Sequence, residues 1–138
     1  MTAKQFLEQY EDAMIRIDLC RQEYKKESDL IDAIRSTSDN DGLPHGTGIS
    51  KPTEEKAIRL SDKAMRLIDA KLDAIRIRQE IFDVIYSIGG IEARVLYERY
   101  IELKQWDEVG KAVDYSESQA QRYHRKGLEK VSEKLGIK

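Results

Sequence analysis

The sequence is poor in residues that would point to an enzyme or a secreted scaffold: one cysteine, two prolines, two histidines and one tryptophan among 138 residues. A single thiol, Cys20, excludes an intramolecular disulfide, and its setting among apolar helical positions makes it a small hydrophobe and not a nucleophile. His45 and His124 make no ligand spacing with Cys20, so no metal site is expected. There is no P-loop, no glycine-rich dinucleotide turn after a strand, and no strand pattern, so neither a cofactor nor catalysis is expected. No apolar run approaches the roughly 18 residues of a membrane span. The stretch from Met1 to Tyr10 lacks the charge-then-apolar order of a signal peptide, so the chain is expected to be cytoplasmic and free of membrane. An excess of positive charge is missing too, since 24 Lys and Arg face 26 Asp and Glu for a net charge of -2. That excludes a uniformly basic protein coating nucleic acid without discrimination, so any contact with DNA must be local.

What is abundant is charge and apolar side chain in alternation. The 36% charged and 40% hydrophobic residues suit long amphipathic helices, in which charges coat every face that a core does not cover. An all-α fold is expected. Between Ala3 and about Ser36 there is neither Gly nor Pro. Phe6, Tyr10, Ala13, Ile17, Cys20, Tyr24, Ile31 and Ile34 follow spacings of three and four there, broken only by Glu27. One helix of roughly 50 Å, at about 1.5 Å per residue, is too long to bury that seam on a compact domain alone. Residues 37–51 are dense in turn formers and small polar side chains and are expected to form a flexible linker, His45 among them. A second helix is expected over about 52–88. Pro52 stands early, Thr53 is a capping candidate, and Glu54 and Glu55 favour the helix dipole. Ala57, Ala64, Ile68, Leu72, Ile75, Phe82 and Ile85 carry its stripe to Ile88, where Gly89 and Gly90 stop it. The pair forms an antiparallel hairpin over 1–88. Ile58, Leu60, Leu67, Ile77, Ile81 and Val84 exceed what one seam can use. Either the carboxy-terminal helices or a second copy of the chain must cover them, and a homodimer is the expectation.

After Gly90 the rhythm shortens. Helices are expected over Ile91 to about Leu103, Trp106 to about Val113 and Ser116 to about Leu135, a helix-turn-helix domain over 91–138. Val95, Leu96, Tyr100 and Ile101 pack with Trp106, Val109, Ala112 and Val113, and Tyr97, Tyr100, Tyr115 and Tyr123 serve the core. Ser116 and Gln119 have the spacing of a capping box. The last helix turns Ala120, Tyr123, Leu128, Val131 and Leu135 inward, with Gly127 admitting a close neighbour. Glu117, Ser118, Gln121, Arg122, Arg125, Lys126 and Glu129 then face outward. Gln matches adenine edges, Arg matches guanine O6 and N7, and Ser serves base or phosphate, which are the donors and acceptors a major-groove reader needs. Positive charge gathers here as well, with six basic and three acidic side chains over 116–138 against 14 and 17 over 1–90.

The run Arg94-Val95-Leu96-Tyr97-Glu98-Arg99-Tyr100-Ile101, the run from Trp106 to Val113, and the run from Tyr115 to Leu128 together resemble region 4 of sigma-70-type factors. Gly42 to Gly46 with Lys51 to Leu60 is similar to the linker of phage regulators of the ArpU and RinA type. The two resemblances imply a three-helix, sigma region 4-like helix-turn-helix behind the hairpin. They also imply an activator of phage or prophage genes that binds double-stranded DNA, with RNA polymerase as a further partner. On the same ground DNA is bound from Ser116 onward, with Glu117, Ser118, Gln121 and Arg122 in the base-facing positions and Arg125 and Lys126 in those near phosphate. Gly110 and Gly127 stand where that pattern more often has alanine, which should lower helix stability by up to about 1 kcal/mol each. Two other classes fit the same helices: a DNA-packaging protein like a terminase small subunit, and a protein-interaction module that binds a sigma factor or polymerase.

Overall fold

The computed structural model describes residues 1–39 and 51–137. The fold is all-α, with no strand among the described residues. Helix α1 spans Ala3–Asp39 and α2 spans Lys51–Ile88. Helix α3, Gly90–Leu96, runs into a π-helical turn over Tyr97–Ile101, and α4 (Trp106–Val113) and α5 (Glu117–Leu135) follow. The linker expected over 37–51, with His45, lies outside the described residues except at its ends, where α1 continues to Asp39 and α2 begins at Lys51. That start precedes Thr53, which is therefore a residue of the first turn and not the cap before it.

The chain divides into two compact units, one formed by Met1–Met14 with Asp73–Lys138 and the other by Ile15–Leu72. In the second unit the long helices pair antiparallel. Lys63 Nζ meets Glu23 at 3.2 Å and Glu27 at 3.5 Å, and Arg59 meets Glu27 at 3.6 Å, so partners recede along one helix as they advance along the other. Glu27 looked like a break in the α1 seam; it is instead a half-buried anion shared by two cations of α2.

The apolar stripes differ from those expected. On α1, Ala3, Leu7, Ala13 and Ile17 are buried, whereas Phe6 and Tyr10 are half-buried and Ile34 is exposed. On α2 the expected stripe is largely on the outside: Ala57, Ile68, Leu72 and Ile75 are exposed. Ala74, Ile77 and Ile81 are buried, and Leu60 and Leu67 half-buried, in its place, while Ile85 of the expected stripe is buried. The helix carries two apolar stripes, both with helical spacing. Burial goes to the one its partners can cover, and periodicity alone does not choose between them.

In the first unit the short helices fold back on the end of α2, as one of the two expected solutions required. Phe82 packs edge-on to Tyr97 with centroids 6.3 Å apart, and Arg78 donates to the Tyr97 hydroxyl at 3.4 Å. Val95, Val109, Val113 and Ala120 form the centre, flanked by Ile91, Trp106 and Tyr123. The segment expected as one helix from Ile91 to Leu103 widens at Tyr97: Glu102 N–H reaches back five residues to the Tyr97 carbonyl at 3.1 Å. That wider turn puts Glu98, Tyr100 and Ile101 all inside. Glu98, only 7% exposed, is neutralised by Lys104 at 2.6 Å and Arg94 at 3.5 Å. The carboxylate in turn raises the Lys104 pKa, chiefly through their hydrogen bond.

Two glycines stand against close neighbours, a side chain in one case and backbone in the other. A methyl group at Gly127 would stand 3.0 Å from the Leu96 side chain, the close neighbour the sequence required. At Gly110 it would meet the Tyr115 carbonyl oxygen at 2.9 Å, backbone that has nowhere to go. Alanine's advantage in helix propensity, about 1 kcal/mol, is therefore outweighed at Gly110.

Candidate nucleic-acid interface

Helix α4 and helix α5 are joined by three residues, and each joint has a local cause. Asp114 takes the left-handed conformation at φ 61°, which Asp tolerates better than most side chains, and its N–H returns to α4. Tyr115 N–H then closes on the Gly110 carbonyl at 3.0 Å. Ser116 is extended and accepts from Gln119 N–H at 3.2 Å, so the expected cap is present on the serine side. At the other end Gly136, at φ 68°, and the Ile137 N–H to Ser132 carbonyl bond of 3.0 Å terminate α5. The helix is thereby held at both ends and along its inner face, where Ala120, Gly127 and Val131 are buried.

The outer face carries the residues expected there. Ser116, Glu117, Ser118, Arg122, Arg125 and Lys126 are exposed and Gln121 is half-buried. Glu117, Ser118, Gln121, Arg122 and Arg125 advance by one, three or four residues, so they share a face of about 140° at 100° per residue. Among the described residues none of these five side chains makes a hydrogen bond or ion pair, which leaves their donors and acceptors available. Lys126 sits at the edge of the face, its ammonium 5.9 Å from the Tyr123 ring. Ser116 contributes its cap and not a free hydroxyl.

Behind this face lies an aromatic support that sequence reasoning only half found. Tyr100 and His124 stack at 5.6 Å and share a 2.6 Å hydrogen bond between the phenol oxygen and Nε2. Trp106 meets His124 edge-on at 4.8 Å. Burial, aided by Lys4, Arg99 and Arg125, lowers the His124 pKa to about 4, so the ring is neutral at physiological pH. Burial, with Glu8, pushes the Tyr100 phenol up to about 12. The structure puts His124 at the core edge. Tyr100 is buried and Tyr97 and Tyr123 half-buried, as core residues should be, while Tyr115 is exposed and pairs edge-on with Tyr123 at 5.1 Å. Arg99 was missed, and its guanidinium lies over Trp106 at 4.8 Å while Nη1 donates to the Lys104 carbonyl at 2.8 Å.

No group of three His, Cys, Asp or Glu side chains that could hold a metal ion occurs among the described residues, and no helix there is long and apolar enough to cross a membrane. The chain matches no family model, and no curated protein or solved structure is similar enough to be counted a relative. The chemistry of the α5 face therefore has to be argued from its own residues.

Proposed function

We propose that this chain is a sequence-specific DNA-binding regulator of transcription that reads double-stranded DNA in the major groove through α5. The observation that carries the reading is the outer face of that helix. Glu117, Ser118, Gln121, Arg122 and Arg125 stand together, without internal partners, on a helix fixed at both ends and backed by a packed core. A rigid helix presenting unpaired amide, guanidinium and hydroxyl groups is what base-edge recognition requires, since groups already paired would have to be broken away first. Arg125 and Lys126 are the phosphate-side contacts, and Arg122, at one edge of the face of about 140°, is the first candidate for guanine.

The resemblance to sigma region 4 and to phage regulators adds direction to this reading. It makes the chain an activator of phage or prophage genes, working in the bacterial cytoplasm, with RNA polymerase as a second partner. A homodimer accompanies it. In the unit Ile15–Leu72, Met65, Ile68 and Leu72 follow at spacings of three and four and are all exposed, with Ile58 one heptad before Met65. This is the seam a second copy would cover, and two copies would present two readers to a symmetric site.

The test is selection of bound fragments from the source genome with the wild-type chain beside Arg122→Ala, at low and near-physiological salt. One enriched site that the variant loses is the expected result, with a loss of about 1–3 kcal/mol. Equal enrichment by both proteins, or none by either, removes the reader from α5.

A further inference from the structure

We propose that the cleft bounded by the start of α1, the π-helical turn and the flank of α5 is a phosphate-binding site, with Lys4, Arg99 and Arg125 as its ligands. The cleft has a volume of about 370 Å³ and is polar. Three cations reach it from three separate elements, which lets them approach a tetrahedral anion from different directions; arginine in particular offers a planar fork of donors that matches phosphate oxygens. Arg99 is organised in advance. Trp106 supports its guanidinium from one side and the Lys104 carbonyl holds Nη1, while its other nitrogens have no partner among the described residues. Arg125 has no partner there at all, and Lys4 is held only by Glu8, at 3.8 Å.

Glu8 and Glu11 also line the cleft, so its charge is not uniformly positive. They limit the site to one phosphate with its near surroundings, since a second would face carboxylates. His124 at the wall is neutral, chiefly through burial and further through the same three cations, and stays a hydrogen-bonding group without adding charge.

Gln121 and Arg125 belong both to this lining and to the outer face of α5. A duplex lying along α5 would therefore carry its backbone past the mouth of the cleft. One phosphate chemistry thus has two sources, the DNA backbone or a free phosphate, and only the first rests on the reader assigned above.

Trp106 lines the cleft and is the only tryptophan, so emission from the intact chain reports occupancy without a label. The full chain is titrated with inorganic phosphate in one arm and with a short duplex in the other, at ionic strength held constant with chloride. Wild type is compared with Lys4→Gln, Arg99→Gln and Glu8→Gln. Because Arg99→Gln also alters the support of Trp106, Lys4→Gln and the His124 ring signals by NMR give independent readouts. A saturable response to phosphate and not to chloride, weakened about tenfold by Lys4→Gln and strengthened by Glu8→Gln, is expected for a free phosphate. A response confined to the duplex arm, with the salt slope reduced by about one for each cation removed, assigns the site to the DNA backbone. No phosphate-specific response in either arm, or an equal response in all four proteins, overturns the proposal. Arg122→Ala changes sequence preference in the duplex arm alone, so failure of the reader and failure of the cleft give different results.

Discussion

The two compact units use the same kinds of apolar side chain to opposite effect. Every large side chain that is fully buried among the described residues, namely Leu7, Ile81, Leu96, Val95, Val109 and Val131, belongs to the unit formed by Met1–Met14 and Asp73–Lys138. The unit Ile15–Leu72 buries Ile17 and leaves Ile15, Leu19, Leu30, Ile58, Met65, Ile68 and Leu72 exposed. Composition does not explain this. A pair of helices can close one stripe on each, whereas short helices crossing the ends of longer ones close a core from several sides. The contrast separates the part that closes a core of its own from the part that leaves apolar side chains exposed.

Substitutions can sharpen or break that contrast. The largest effect is expected for Leu96→Ala, which empties a site at the centre of the first unit and should cost about 3 kcal/mol in equilibrium urea unfolding. Gly110→Ala should cost about 1–2 kcal/mol by the same measurement despite the better helix former, because its methyl group has only the Tyr115 backbone to push against. A gain in stability would mean that the turn into α5 is looser than described.

His124 gives an effect that depends on pH. Its folded pKa, about 4, lies below the unfolded value of about 6.5. Its neutral form therefore contributes stability that is complete above about pH 6.5 and is lost as pH falls towards 4. The ring is only partly buried, and after discounting for solvent screening the loss is about 1 kcal/mol. His124→Gln should flatten stability across that window, which thermal melts at pH 4.5 and 7 would measure. The smallest effect on the fold itself is expected for Leu72→Glu, within about 0.5 kcal/mol for a monomer because the residue is 60% exposed. The same change should halve the mass of a homodimer in sedimentation. An unchanged mass, or a wild type already monomeric, would dissolve the second half of the comparison.

How far the fold was legible follows the range of the interactions. Helix α4 falls on the expected Trp106–Val113, and α5 starts behind the expected Ser116 cap, because caps and turns are settled by residues within a few positions of one another. The outer face of α5 was legible for the same reason, since helical spacing alone puts Arg122 opposite Ala120 and Val131. On α2, Ile68, Leu72 and Ile75 competed with Leu67, Ala74 and Ile77, and the winner depends on partners distant in sequence. Leu7 was overlooked because Phe6 beside it is larger and fits the heptad spacing equally well. Glu98 could not be foreseen as a buried carboxylate, since Lys104 reaches it only through the π-helical turn. Arg99 and Lys4 stand 95 positions apart, and no local pattern joins them.

The π-helical turn has one more implication, for the reading frame of the helix that contains it. Such a turn is one residue more than an α-helix of the same height would hold, and each residue of an α-helix advances the side chains by about 100°. The buried positions before Tyr97 and those after it are therefore out of phase by about one step. A chain shortened by one residue here would regain an unbroken α-helix and rotate everything downstream, turning Tyr100 away from His124. Insertions and deletions at this point are accordingly far less neutral than in an ordinary helix-to-helix connection, and the length of the segment from Gly90 to Leu103 is itself a determinant of how α5 is supported.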